Sequence, residues 1–195
     1  MMSIPGLLCD SQIRALCLDV DDPVIAPFVD EQVRISESGA KIVSYGNSSV
    51  GYDVRLGRDF KIFTNVNNAL IDPLNMSDDS YVDHTGDYVI IPPNSYVLGH
   101  TLEYFKMPRD VAAICLGKST YARIGCICNV TPIEPGFEGN VVIELANSTP
   151  LPMKVYANMG IAQFTFHRTP VTPDVSYADR AGKYQGQTGI QTAIV

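Results

Sequence analysis

Seven consecutive residues, Gly117-Lys118-Ser119-Thr120-Tyr121-Ala122-Arg123, carry the densest chemistry in the sequence. An ammonium, two hydroxyls and a guanidinium in one short stretch suit an anionic ligand. The stretch follows an apolar run at 112–116, and Ser119 and Thr120 are strong helix N-cap types, so a short helix is expected here. A helix start with free N–H groups beside a lysine is an anion site. Ser119 and Arg123, four residues apart, share a helical face. The Gly-Lys-Ser part resembles a Walker A loop, but that motif needs a glycine five residues before Gly117, where Ala112 stands. Taken alone, the plainer reading is a capped helix with a solvated Lys and Arg.

Two further segments carry chemistry. Val130-Thr131-Pro132-Ile133-Glu134-Pro135-Gly136-Phe137-Glu138-Gly139 holds two prolines and two glycines apart from its flanks and makes a rigid turn. Beyond it, alternation puts Val142, Glu144 and Ala146 on one strand face and Val141, Ile143 and Leu145 on the other. Glu144 thus sits among small apolar residues, where partial desolvation raises a carboxyl pKa and suits proton transfer. An ordinary exposed strand Glu is the alternative. The last segment, Tyr177-Ala178-Asp179-Arg180-Ala181-Gly182-Lys183-Tyr184-Gln185-Gly186-Gln187, joins basic, amide and phenol donors to glycine hinges. Composition fits both a tail that closes on phosphates and a solvated terminus.

The elements that must position these groups are mostly strands. A short helix is expected near 11–18, with Asp10 or Ser11 as cap and Ile13, Leu16 and Cys17 on one face. From about residue 30 short alternating runs are separated by Gly, Pro, Asn and Asp clusters. The runs fall at 52–56, 60–63, 88–91, 96–100, 111–116, 141–146, 153–156 and 161–166. This pattern reads as one compact, mainly antiparallel β-domain over 1–195 with one or two helices. Residues 170–195 form a polar tail, either disordered or ordered over a ligand.

Composition narrows the ligand. The chain has 195 residues, with 21 Asp+Glu against 14 Lys+Arg and a net charge of −7. That excludes a general nucleic-acid or membrane-surface binder, which needs a basic field. A small anion needs only a local positive cluster. No run approaches the ~20 apolar residues of a membrane span. The N-terminal nine residues lack the basic and apolar regions of a signal peptide. Five cysteines, Cys9, Cys17, Cys115, Cys126 and Cys128, show no disulfide spacing and fit a reducing cytoplasm.

The three segments, in this order, resemble the dCTP deaminase family, a branch of the dUTPase superfamily. Ser49-Val50-Gly51-Tyr52-Asp53-Val54-Arg55-Leu56 and the stretch 6–16 extend the resemblance over nearly the whole chain. It implies a distorted antiparallel β-barrel of the dUTPase type with a few short helices, assembled as a homotrimer with sites between subunits. The implied reaction is hydrolysis of dCTP to dUTP and ammonia, a step toward dUMP and dTTP. Glu144 matches the family's proton donor and acceptor. Lys118, Ser119, Thr120, Tyr121, Ala122 and Arg123 match its nucleotide-binding stretch, with Ser119 and Arg123 close to the reacting centre. Val142 and Ile143 match the strand beside the sugar and base, and Gln163 a further nucleotide contact. Tyr177, Lys183 and Gln187 match tail residues that contact the nucleotide. The resemblance also makes dTTP a candidate inhibitor.

Most nucleobase deaminases use zinc, with a His-x-Glu and a Pro-Cys-x-x-Cys signature. Here none of His84, His100 and His167 begins His-x-Glu, and the one close cysteine pair, Cys126 and Cys128, is Cys-x-Cys. A zinc-independent reaction is therefore expected, with Glu144 moving protons, Ser119 orienting the water and Arg123 holding charge. Mg²⁺ is expected to arrive on the triphosphate, since no carboxylate cage is evident. dUTPases place an aspartate in a Gly-x-Ile-Asp-type turn, where this chain has Pro132-Ile133-Glu134. That departure places a bifunctional deaminase–diphosphatase, giving dUMP and pyrophosphate, second to the deaminase. A non-catalytic nucleotide sensor on the same fold would lack the proton shuttle that Glu144 offers.

Overall fold

The computed structural model describes residues 5–18, 21–66 and 70–194. The first four residues of the N-terminal stretch read for a signal peptide, and Val195 at the end of the tail, lie outside them. In chain order the elements are β1 (Gly6–Leu7), α1 (Asp10–Leu18), β2 (Ile25–Ala26), β3 (Val33–Ile35), β4 (Lys41–Ser48), β5 (Gly51–Arg55), β6 (Asp59–Phe63), β7 (Tyr81–Thr85) and β8 (Tyr88–Ile91). There follow β9 (Tyr96–Lys106), β10 (Val111–Gly117), α2 (Ser119–Ala122), β11 (Cys126–Asn129), β12 (Glu138–Asn147), β13 (Met153–Tyr156) and β14 (Gly160–Arg168).

The expected mainly β, antiparallel architecture is what forms. One sheet runs β1-β14-β5-β4-β3, with β10 on the other edge of β14. A second runs β11-β12-β9-β6-β7, with β2 also on β9. β8 and β13 pair separately. The helix expected at 11–18 is α1, which buries Ile13 and Cys17 against the core. No helix among the described residues is long and apolar enough to cross a membrane.

The two sheets face each other across one apolar core. Alternation along β12 buries Val141, Ile143 and Leu145. From the other sheet come Tyr52, Val54, Phe164 and Phe166, all essentially inaccessible to solvent. The rings of Phe105 and Phe164 lie 5.1 Å apart and join the layers. Each such side chain contributes about 1.5–3 kcal/mol by leaving water.

The run expected at 96–100 continues to Lys106, because β9 absorbs an irregularity instead of ending. Tyr104 pairs with Asn140 and His100 with Val142, so Thr101, Leu102 and Glu103 together oppose Val141. Side chains replace the lost ladder bonds. The Val141 N–H donates to Thr101 Oγ1 at 2.9 Å, and Asn140 Nδ2 donates to the carbonyls of Thr101 and Glu103, both at 3.1 Å. Two extra residues preserve the parity of the strand, so inward and outward faces stay in step on both sides.

Glu103 is thereby turned into the core, with no solvent exposure. Its Oε1 accepts from Arg55 Nε at 2.7 Å and its Oε2 from the Arg55 backbone N–H at 2.9 Å. Burial pushes the Glu103 carboxyl up, and Arg55 opposes that shift. Removing one partner of such a pair leaves a buried charge alone and costs about 3–5 kcal/mol. We expect Glu103→Ala to lower Tm by about 10 °C, at about 2–4 °C per kcal/mol for a chain of this size, with Glu103→Gln losing less. Thermal melts followed by circular dichroism check this; equal melts for wild type and Glu103→Ala would remove the pair from the stability of the fold.

Candidate active site

Because β12 alternates, the side chains opposite to its core face open on a cavity of about 540 Å³. Val142 and Glu144 line it from β12, Leu98 and Tyr96 from β9, and Tyr81 from β7. Ile133, Glu134 and Phe137 come from the proline- and glycine-rich turn. The surroundings of Glu144 are largely apolar or aromatic, and burial pushes its carboxyl from an ordinary 4.5 to about 7. Tyr81 and Tyr96 were not singled out in the sequence. Their hydroxyls are 3.1 Å apart, so one donates to the other and one proton is left over. Phe63 stacks on Tyr96 at 4.7 Å between centroids. Burial, Tyr96 and the charge of Glu144 all raise the Tyr81 hydroxyl, which puts this pair within electrostatic reach of the carboxylate. Two tyrosines opening strands on either side of β6 are too common a pattern to mark a site.

The tail closes the cavity with Tyr177, Tyr184, Gln187, Gln191 and Ala193. The described part of residues 170–195 packs on its own chain. Gly186 N–H donates to the Glu138 carbonyl at 2.7 Å, Asn140 N–H to the Gln187 carbonyl at 3.0 Å, and Gln187 Nε2 to the Asn140 carbonyl at 2.6 Å. Gly139 permits this approach. It adopts φ +146°, and a Cβ there would stand 2.8 Å from the Gln187 carbonyl oxygen. Arg109 meets Asp179 at 2.6 Å, Arg180 pairs with Glu134, and the Tyr177 ring sits edge-on to Phe137.

The expected nucleotide-binding stretch lies outside this cavity. Helix α2 has only four residues, and its N-cap position is Lys118, which makes no side-chain cap; Ser119 is the first helical residue. The expected Ser/Thr cap is thus replaced by a bare turn. Lys118, expected to face phosphate, pairs with Asp53, the two side chains being 12% and 7% exposed. The reason is electrostatic: Asp53 is buried on β5 and needs a cation, and Gln32 Nε2 adds only a 3.2 Å hydrogen bond. Tyr121 also turns inward, into the core, where its hydroxyl accepts from Tyr156 N–H at 3.5 Å. Ser119, Thr120, Ala122 and Arg123 are exposed.

The remaining residues divide in the same way. Ile143, expected beside the sugar and base, has its side chain wholly in the core on the face opposite Glu144. Gln163 Nε2 donates to Ser48 Oγ at 3.1 Å, away from the cavity. Lys183 is exposed and donates to the Ile194 carbonyl at 3.2 Å. One chain therefore brings together Val142, Glu144, Tyr177 and Gln187. It holds residues 118–123 and Gln163 apart from them, and among the described residues no Lys or Arg lines the cavity. Among the described residues no three His, Cys, Asp or Glu side chains are grouped to hold a metal ion.

A family model described as dCTP deaminase-like matches residues 7–169. The chain belongs to this family. Proteins named dCTP deaminase from Burkholderia cenocepacia (strain HI2424) and Burkholderia multivorans (strain ATCC 17616 / 249) are each 59% identical over 167 residues, covering 86% of this chain and 88% of theirs. The crystal structure of 2'-deoxycytidine 5'-triphosphate deaminase from Agrobacterium tumefaciens superposes with a TM-score of 0.61 at 18% identity. It covers 85% of this chain, which spans about half of that protein, 49%. At that identity the likeness speaks to the fold. In this family member the most perturbed carboxylate of the cavity is Glu144.

The Glu144 shift has a measurable sign. The folded state prefers the protonated form, so ionisation costs stability as pH rises from 4.5 toward 7 and the full cost persists above. Glu144→Gln removes that cost. We expect the variant to gain about 1–3 kcal/mol over wild type at pH 8.5, after discounting for partial exposure, and nothing at pH 4. Urea titrations at the two pH values test this; a gain that does not change with pH would mean that Glu144 is not desolvated.

Proposed function

We propose that this protein hydrolyses the C4–N4 bond of the cytosine ring of dCTP, giving dUTP and ammonia. The observation that carries the reading is Glu144, a carboxyl lifted to about 7 inside a cavity of nucleoside size. The 59% identity to proteins named dCTP deaminase supports the substrate.

A shuttle must take and return protons at one pH, which a pKa near neutrality allows. Glu144 accepts a proton from water as the water oxygen bonds to C4, and passes that proton to ring N3. It then moves the remaining hydroxyl proton to the amino group. The C4–N4 bond breaks, ammonia leaves, and C4 keeps its oxygen as a carbonyl beside N3–H. Ser119 orients the water and Arg123 holds charge in the site. Because these two residues lie on α2, away from the cavity, a second copy supplies them, in a homotrimer with sites between subunits. Mg²⁺ travels on the triphosphate. Of the carboxylates lining the cavity, Glu144 is the shuttle and Glu134 is paired with Arg180, so the phosphates are the better ligands. dTTP, with the same deoxyribose triphosphate, competes for the site. Free cysteines and a nucleotide substrate favour a cytoplasmic setting.

The bifunctional reading is weaker for a specific reason. Glu134 stands in the turn where diphosphatase relatives keep an aspartate, and its carboxylate is engaged by Arg180. With dCTP and Mg²⁺, chromatography with an ammonia assay is expected to give dUTP and ammonia in equal amounts. dUMP with pyrophosphate would favour the bifunctional enzyme, and tight dCTP binding without ammonia would leave only a sensor. Glu144→Gln is expected to lower kcat at least about a thousandfold with KM near the wild-type value, as for loss of a general acid–base group. The wild-type rate is expected to fall about tenfold per pH unit once below about 7, where Glu144 is already protonated. A rate that is flat from pH 5 to 8 would reject Glu144 as the base.

A further inference from the structure

Helix α2 begins without a side-chain cap, so the placement of Ser119 and Arg123 has to be fixed from outside the turn. Lys118, the residue before it, supplies that anchor. Its carbonyl accepts from the N–H groups of Tyr121 and Ala122, both at 3.0 Å, and its own N–H donates to the Ile161 carbonyl at 3.4 Å. Its ammonium runs inward and pairs with Asp53, and both side chains are largely buried. The backbone of Lys118 is thus part of α2, while its side chain is part of the sheet beneath.

Asp53 is itself held. It lies on β5 between β4 and β14, opposite Gly46 on one side and Gln163 on the other. Gln32 Nε2 donates to the Gly46 carbonyl at 2.8 Å and to Asp53 Oδ2 at 3.2 Å. The same oxygen, Oδ2, accepts from the Lys118 ammonium. A carboxylate clamped in the middle of a sheet is a rigid point from which to hold a four-residue turn.

Stability alone does not account for this pair. A buried ion pair loses hydration on both groups, and an apolar pair of similar volume is often as stable or more so. What the ion pair adds is a defined geometry, because a buried ammonium without its carboxylate must move to reach water. Here that movement would take the N-cap of α2 with it. A shift of about 1 Å in a group that positions a reactant can cost about a hundredfold in rate.

We propose that Asp53 is a positioning residue for the deamination: with Gln32 behind it, it holds Lys118, and through Lys118 the directions of the Ser119 hydroxyl and the Arg123 guanidinium. The inference rests on the roles proposed above for Ser119 and Arg123. Asp53 acts through Lys118 and touches no reacting atom, so its effect falls on the chemical step more than on binding.

The test uses the full chain and four variants: Asp53→Asn, Lys118→Met, Lys118→Arg, and the apolar pair Asp53→Leu with Lys118→Met. Thermal melts, ammonia release from dCTP and amide hydrogen exchange over 119–123 are read for each. Asp53→Asn is expected to lower kcat at least about tenfold with KM within about threefold. Exchange over 119–123 is expected to quicken at least about tenfold, with β9 and β12 as in wild type. Lys118→Arg, which keeps the ion pair, is expected to hold kcat within about threefold. The apolar pair separates positioning from stability, since a flexible methionine defines no single direction. It is expected to melt near wild type and still lose at least about tenfold in kcat, and it serves as the test if Asp53→Asn does not fold. An apolar pair that melts like wild type and keeps wild-type kcat would overturn the proposal. So would a Lys118→Met variant whose KM rises while its kcat is unchanged. A wild type that releases no ammonia would overturn the deaminase reading instead. Hydrogen exchange over 119–123 then decides the clamp by itself: faster exchange in Asp53→Asn and in the apolar pair supports it, and unchanged exchange in both overturns it.

Discussion

Three residues of β9 standing opposite Val141 are the constraint on which the site depends. One extra residue would exchange the faces of β9 on one side of the irregularity and turn Leu98 away from the face it shares with Glu144. Two extra residues keep the faces but leave backbone groups without ladder partners. Thr101 Oγ1 and Asn140 Nδ2 take up those groups, and the inward Glu103 takes Arg55 from the other sheet. Asn140 then offers its own N–H and carbonyl to Gln187 of the tail, and its Oδ1 to Gly189 N–H at 3.1 Å. A short irregular segment thus ties together the two sheets, the strand that carries Glu144 and the seat of the tail. An exchange of any of these polar residues for an apolar one strands a buried partner, so the segment acts as a unit.

Charge is distributed with the same economy. A lysine beside Glu144 would hold the carboxyl ionised and drop its pKa below the range useful for a shuttle. The cavity excludes cations, and burial is the dominant cause of the shift. The triphosphate makes the opposite demand. The cations of the 118–123 stretch stand apart from the cavity: Lys118 is paired with Asp53 and Arg123 is exposed beside α2. On the proposed function, a site that uses both Glu144 and residues 118–123 joins two surfaces that one chain keeps apart, which is the reason for proposing that it lies between copies.

How much of this was legible in the residues varies with the kind of interaction. Local periodicity located α1, the paired strand 88–91 and the outward face of Glu144, because each rests on alternation or on the 3.6-residue repeat. The continuation of β9 beyond His100 was not legible. It depends on Thr101 and Asn140 bonding across strands about forty positions apart. The partner of Lys118 was not legible for a similar reason: nothing near it in sequence signals Asp53, which is 65 positions away and buried. Tyr81 and Tyr96 escaped notice because their pairing is made by the β6–β7 and β6–β9 registers, not by spacing. The tail's composition did not signal its contacts with 134–140, which are made across forty or more positions.

Those contacts also determine what the tail can do. Its anchors are backbone bonds to Pro135 and 138–140, side-chain bonds of Gln185, Gln187 and Asn140, ion pairs of Arg109 and Arg180 that stand partly in solvent, and the aromatic contact of Tyr177 on Phe137. Exposed ion pairs contribute about 0–1 kcal/mol each, and few apolar groups are buried here, so the tail belongs to the least stable part of the fold. The same tail supplies much of the wall that keeps water from Glu144. The desolvation that raises the Glu144 carboxyl therefore depends on this wall of the tail as well as on the strands beneath it.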